Sequence, residues 1–161
     1  MTAQVMNCPK GWTMEIRWAV VERLCLFGRP SDEKEMREIA DKASLGLLIQ
    51  LFDPSRPEEV ATDWTKVAKE FNFEVKRIET PDFGVPEIDT EGLAELAKHA
   101  KEAFDADEAV GIHCGAGIGR TGTMALLLMA ELIRQSGSCS ETDAQLQSIT
   151  QYLKDSWMGS C

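Results

Sequence analysis

Histidine is scarce in this 161-residue sequence, with only His99 and His113, whereas catalytic zinc sites draw largely on two or three histidines. No metal centre and no other cofactor is expected. The five cysteines, Cys8, Cys25, Cys114, Cys139 and Cys161, contain no CxxC pair, which argues against a zinc site or a redox dithiol. Their odd number and irregular spacing fit free thiols in a reducing compartment, so a cytoplasmic location is expected. No apolar run approaches the ~20 residues of a membrane span; the longest covers residues 124–130. The opening MTAQVMNCPKGW lacks the charged start and apolar core of an export signal. Basic charge is also short, since 17 Lys and Arg against 27 Asp and Glu leave a net charge of −10. That balance argues against nucleic acid or an anionic membrane as partner, both of which reward clustered cations.

What remains is the composition of an ordinary soluble globular protein, 43% hydrophobic and 27% charged, without repeats or low-complexity tracts. One domain over residues 1–161 is expected, less ordered at its ends, about 1–12 and 158–161. Residues 14–26 read as strand-prone, and residues 31–44 as a helix with Ser31 as N-cap. GLLIQLF, residues 46–52, is a continuous apolar run suited to a buried parallel strand. Residues 58–71 carry a helical stripe at Val60, Trp64, Val67, Ala68 and Phe71, and 73–78 alternate like a strand. Two prolines and a glycine break the pattern over 80–86. A helix over 90–104 capped by Thr90, a strand over 109–113, and helices over 119–135 and 141–157 complete the chain. Strands alternating with helices predict an α/β domain whose central, mostly parallel sheet is flanked by helices, with its site at the carboxyl ends of the strands.

The most informative stretch is HCGAGIGRTG, residues 113–122, between a predicted strand and a predicted helix. Glycines at 115, 117 and 119 allow tight turns, so the backbone amides of Gly115, Ala116, Gly117, Ile118 and Gly119 can point inward as an anion cradle, reinforced by the helix N-terminus. Phosphate is the natural occupant. Arg120, six residues after Cys114, can grip two phosphate oxygens in a planar fork while the sulfur faces phosphorus. The same surroundings favour the thiolate, the form of cysteine that attacks. Thr121 can donate a hydrogen bond to that sulfur when charge returns to it, and His113 is expected to orient the loop.

This loop is similar to the signature of the cysteine-based protein tyrosine phosphatases, with His, Cys, Ala-Gly, Gly-Arg and Thr-Gly in register. Pro81-Asp82-Phe83-Gly84-Val85-Pro86 resembles the acid loop of that family, although Thr80 stands where its tryptophan is usual; the resemblance makes Asp82 the general acid. Thr142-Asp143-Ala144-Gln145-Leu146 resembles the glutamine loop, making Gln145 the residue that positions water, with Gln147 and Gln151 as competitors. Gly28-Arg29-Pro30 is similar to compact microbial and archaeal members. The resemblance spans about residues 24–155 and implies a phosphatase acting through phosphocysteine on a phosphorylated protein or peptide, specific for phosphotyrosine or of dual specificity.

Plainer readings exist for each feature. Gly117 to Gly122 also satisfies GxGxxG, but the second strand a dinucleotide fold requires ~20 residues on is replaced by helical sequence. A cysteine at a strand end is by itself a small buried apolar residue, and an aspartate after proline is a common turn former. Phosphatases of inositol phosphates, phosphoinositides or RNA 5′ ends would use the same loop, but Ala116 and Ile118 are neutral where those enzymes often carry lysine. A phosphoprotein-binding module without turnover, and an arsenate reductase lacking its partner thiols, are further alternatives.

Overall fold

A computed structural model describes residues 17–18 and 23–135. Its elements in chain order are β1 (Arg17–Trp18), β2 (Leu24–Phe27), α1 (Glu33–Ala43), β3 (Leu45–Phe52), α2 (Pro57–Val60), α3 (Thr65–Phe71), β4 (Glu74–Glu79), α4 (Thr90–Asp105), β5 (Ala109–His113) and α5 (Gly119–Gln135). The sheet order is β1-β2-β5-β3-β4. β2, β5, β3 and β4 run parallel, and β1 pairs antiparallel with β2. The predicted α/β architecture is therefore the observed one.

The continuous apolar run of β3 needs burial on both faces, and it gets it. Leu47, Ile49 and Leu51 join Leu96, Ala97 and Ala100 of α4 and Met124 and Leu128 of α5 in one core. Leu48, on the alternate side of the pleat, joins Met36 and Ile39 of α1 and Val67 of α3 in the other. Because the four long strands are parallel, their carboxyl ends open at one edge of the sheet. Gly28, Asp53, Thr80 and Cys114 follow them directly, one after each strand.

The sequence expectations differ from this structure in places. The helix caps are Asp32 and Asp89, whose side chains accept from Glu35 N and Gly92 N, rather than Ser31 and Thr90. Aspartate and these hydroxyl residues cap with similar strength, so adjacent candidates were separable only by geometry. Ser31 instead donates through both its backbone N and its Oγ to Glu35.

More consequential is the helix expected over 58–71, which is interrupted between α2 and α3. Asp63 accepts from Thr65 N at 2.9 Å and Thr65 Oγ1 at 2.6 Å, restarting the helix. Gln50 Nε2 holds the Thr62 carbonyl at 2.9 Å, and Arg77 the Val60 carbonyl at 2.9 Å. These side chains satisfy backbone groups that a continuous helix would have paired internally. Val60 consequently faces solvent, while Glu59 and Trp64 turn inward.

Candidate active site

The loop after β5 wraps around the Cys114 sulfur. Cys114 is buried, and the Gly117 N–H donates to its Sγ at 3.3 Å. Gly117 sits at φ +76°, a conformation open to glycine. A β-carbon there would be driven into the backbone of Phe27 and Gly28. The loop is thus seated on the end of β2, and Arg29 N donates to the Gly115 carbonyl at 2.8 Å. Ala116 and Ile118 face outward.

His113 is fully enclosed. Phe27 stacks on its ring at 5.5 Å, and Trp64 meets it edge-on. The Trp64 indole N–H donates to Nε2 at 3.0 Å. Burial lowers the His113 pKa to about 4, so the ring is neutral near pH 7. An indole only donates, so Nε2 is the acceptor and the proton lies on Nδ1, which is 3.2 Å from the Cys114 carbonyl. That geometry fits a residue that fixes the loop rather than one that exchanges protons.

Arg120, in the first turn of α5, is buried against Glu59. Its Nη1 and Nη2 donate to Glu59 Oε2 and Oε1, each at 2.8 Å, and Nη1 also reaches the Thr80 carbonyl at 3.2 Å. These hydrogen bonds hold the Glu59 carboxyl well below the usual range. A guanidinium has five N–H donors, and those three contacts leave two of them, Nε–H and the second Nη2–H, on one edge. Two parallel donors on one edge match the spacing of two phosphate oxygens.

Asp82 approaches that same edge, with Oδ1 3.7 Å from Arg120 Nε. Its Oδ2 pairs with Arg56, and its backbone N–H donates to Asp53 Oδ2 at 2.8 Å. Asp53 in turn donates its N–H to Glu59 Oε2 at 2.7 Å, so the arginine, its carboxylate partner and Asp82 form one connected set. Thr80 contributes a carbonyl to this set, and its own Oγ1 turns back to Ile78 O. An enclosed thiol on an amide donor, in electrostatic reach of an arginine whose Nε and Nη2 edge carries no hydrogen bond among the described residues, is suited to a tetrahedral oxyanion.

A family model described as PTP-SAK: Swiss Army Knife protein, DSP-PTPase phosphatase domain, matches residues 13–158. The chain belongs to this family. This phosphatase domain resembles several solved structures in fold. Tk-PTP in the active form is 23% identical, with 83% of this chain and 78% of that chain covered and a TM-score of 0.53. PTPMT1 is 20% identical over 84% of this chain and 89% of that one, with a TM-score of 0.56. The human tyrosine phosphatase-like serine/threonine/tyrosine-interacting protein is 15% identical over 74% and 73%, with a TM-score of 0.55. No curated protein matches the chain.

Of the residues singled out in the sequence, Cys114, Arg120, Asp82, His113 and the glycine loop come together in the phosphatase domain. Thr121 is buried beside them, but its Oγ1 has no hydrogen-bond partner among the described residues. Gln145, with Gln147 and Gln151, lies outside the described residues. Glu59, Asp53 and Arg56 were not singled out as site residues in the sequence, and Trp64 was read only as part of the helical stripe over 58–71. The Asp-Pro and Arg-Pro steps at 53–57 were the available signal that the chain turns back toward the site. No helix among the described residues is long and apolar enough to cross a membrane.

Proposed function

We propose that the phosphatase domain hydrolyses aryl phosphate monoesters, phosphotyrosine foremost, through a phosphocysteine intermediate. The observation that carries this reading is the Arg120 edge that Glu59 leaves without a hydrogen bond, with Asp82 approaching it and the Gly117-bound thiol of Cys114 in electrostatic reach of the guanidinium. In the first step Cys114 Sγ forms a bond to phosphorus while the bond to the ester oxygen breaks. Arg120 Nε–H and Nη2–H bind two equatorial oxygens, and the loop amides receive the charge that develops. Asp82 delivers its proton to the departing oxygen. In the second step Asp82 takes a proton from water as the new P–O bond forms and the S–P bond breaks. Thr121 Oγ1, which has no partner among the described residues, donates to the sulfur as it regains charge, and Gln145 positions the water.

An aryl preference is supported by two exposed apolar residues at the loop tips. Phe83 follows Asp82 directly, is 74% exposed and has φ +60°, in a turn closed by Gly84 N to Pro81 O at 2.8 Å. A bulky residue in the left-handed region is strained, and exposure forfeits its burial, so a task is the better account of it. An aromatic ring beside the acid offers a face for a phenol ring. Ile118, 55% exposed on the phosphate loop, adds a second apolar surface.

The test is hydrolysis of an aryl phosphate by wild type, Cys114→Ser and Asp82→Asn, followed by phosphotyrosine and phosphoserine peptides and an inositol phosphate. Cys114→Ser should be inactive, and Asp82→Asn slower by ~10²–10⁴. Activity surviving Cys114→Ser overturns the mechanism. Preference for the inositol phosphate overturns the substrate assignment, and an inactive wild type points to a binding module.

A further inference from the structure

We infer that the turn after β3, through Asp53 and Arg56, is the device that holds the general acid in register with the phosphate-binding arginine. The inference rests on the reading of Asp82 as that acid. The segment 81–86 contains two prolines and an exposed Phe83, and its own internal closure is the single turn at Pro81–Gly84. At its tip, the long-range hydrogen bonds among the described residues run from Asp82 to the turn: Asp82 N to Asp53 Oδ2, and Arg56 Nη2 to Asp82 Oδ2. One fixes the backbone and the other the carboxyl group.

Asp53 is an expensive residue to place there. It is only 6% exposed, and a buried carboxylate is tolerated when its lone pairs are satisfied. Oδ1 takes Ser55 N at 2.8 Å and Ser55 Oγ at 2.6 Å, and Oδ2 takes Asp82 N. Through its own backbone N–H it is also joined to Glu59, the partner of Arg120. A single residue therefore spans from the group that grips phosphate to the group that protonates the leaving oxygen.

Arg56 refines the arrangement by occupying Oδ2. In the protonated acid Oδ2 serves as the carbonyl oxygen accepting from Arg56, which leaves the proton on Oδ1, the oxygen facing Arg120 and the phosphate site. The proton then passes from Oδ1 to the ester oxygen, and the resulting carboxylate keeps its Arg56 contact. Asp53 and Arg56 touch neither phosphorus nor sulfur, so they are positioning residues.

Such a role predicts a dependence on the leaving group. The experiment measures kcat/KM for a series of aryl phosphates, from dinitrophenyl, whose oxygen departs without a proton, to phenyl, whose oxygen needs one. Wild type, Asp82→Asn, Arg56→Ala, Asp53→Ala and the near-isosteric Asp53→Asn are compared, with melting temperature as control. Arg56→Ala and Asp53→Ala should lose about tenfold or more on phenyl phosphate and about twofold or less on dinitrophenyl phosphate, a weaker copy of Asp82→Asn. Arg56 is partly exposed, so its variant keeps the test valid if Asp53→Ala fails to fold. Equal losses on every substrate, or none, overturn the inference while Asp82→Asn still steepens the series. If Asp82→Asn leaves the series unchanged, the acid assignment itself fails and the inference with it.

Discussion

The two halves of the site are built by opposite means. The phosphate loop is one contiguous stretch of chain whose donors are backbone amides, held by glycines and by seating on Phe27 and Gly28. The acid half is assembled from Asp53, Arg56, Glu59, Asp82 and Arg120, side chains from three separate segments joined by charged hydrogen bonds. Backbone donors cost no side-chain entropy to order, whereas an ionic set whose centre, Asp53, Glu59 and Arg120, is buried is weakened by the loss of any one of those members. The first half should respond to changes in chain geometry and the second to the loss of a single partner.

Glu59→Ala should expose the second vulnerability most strongly. Arg120 is 6% exposed, and removing one partner of a buried pair typically costs ~3–5 kcal/mol because the other charge is left uncompensated. Denaturant unfolding should register a loss of that size together with greatly weakened phosphate binding. A loss below ~1 kcal/mol, the range of exposed pairs, would mean that the acid half is not cooperative.

Gly117→Ala addresses the other half. The left-handed conformation costs an L-residue about 1–2 kcal/mol, and the new methyl group would lift the loop off the end of β2. Because the Gly117 N–H that reaches the sulfur would move with it, kcat should fall by ~10²–10³, the scale for losing one such donor. Activity within a few fold of wild type would show that this amide is dispensable.

Acid should separate the halves in sequence. Burial lowers the His113 pKa from 6.5 to about 4, so between those values the unfolded chain binds more protons than the folded one. The stability linked to His113 is complete above pH 6.5 and is lost as pH falls toward 4. Hydrogen bonds from Ser55 and then from the Asp82 amide lower Asp53 from 3.8 to about 2. Its contribution is present above pH 3.8 and is lost as pH falls toward 2. Unfolding midpoints measured from pH 7 to pH 2 should therefore decline in two stages, with His113→Asn removing the upper and Asp53→Asn diminishing the lower, to which Glu59 and other carboxylates held below their usual range also contribute. A decline confined to the lower stage would show that His113 is not buried as a neutral ring.

The contrast between the halves also explains what could be read in advance. Cys114 was legible because a backbone cradle must be encoded locally, by glycines at fixed spacing within HCGAGIGRTG, and Arg120, although its side chain serves the acid half, was legible because the same stretch carries it. The strand over Ala109–His113 and the helix over Gly119–Gln135 that flank it were legible for the same reason, since unbroken periodicity ran up to the glycines. Glu59 and Trp64 were hidden because their roles depend on a helix break produced by tertiary contacts from Gln50 and Arg77. No local pattern in residues 58–71 announces partners that lie in β3 and β4. Asp82 fell between these cases, found through the resemblance of its loop, while its anchors at Asp53 and Arg56 lie more than 25 residues upstream.

Phe83, directly after the acid, offers the finest test of how the two halves divide the work. Its backbone carries strain at φ +60°, and its side chain is 74% exposed, so little packing would be lost on replacement. Asparagine tolerates the left-handed region better than a bulky residue does. Phe83→Asn should raise unfolding stability by ~1 kcal/mol, at the lower end of what a strained backbone position costs. If the ring is there to face a phenol, the same change should lower kcat/KM for phosphotyrosine peptides several-fold, leave phosphoserine peptides nearly unaffected, and act chiefly through KM. A more stable variant with unchanged discrimination would assign the strain to loop geometry alone and return the aryl preference to Ile118 and the phosphate loop.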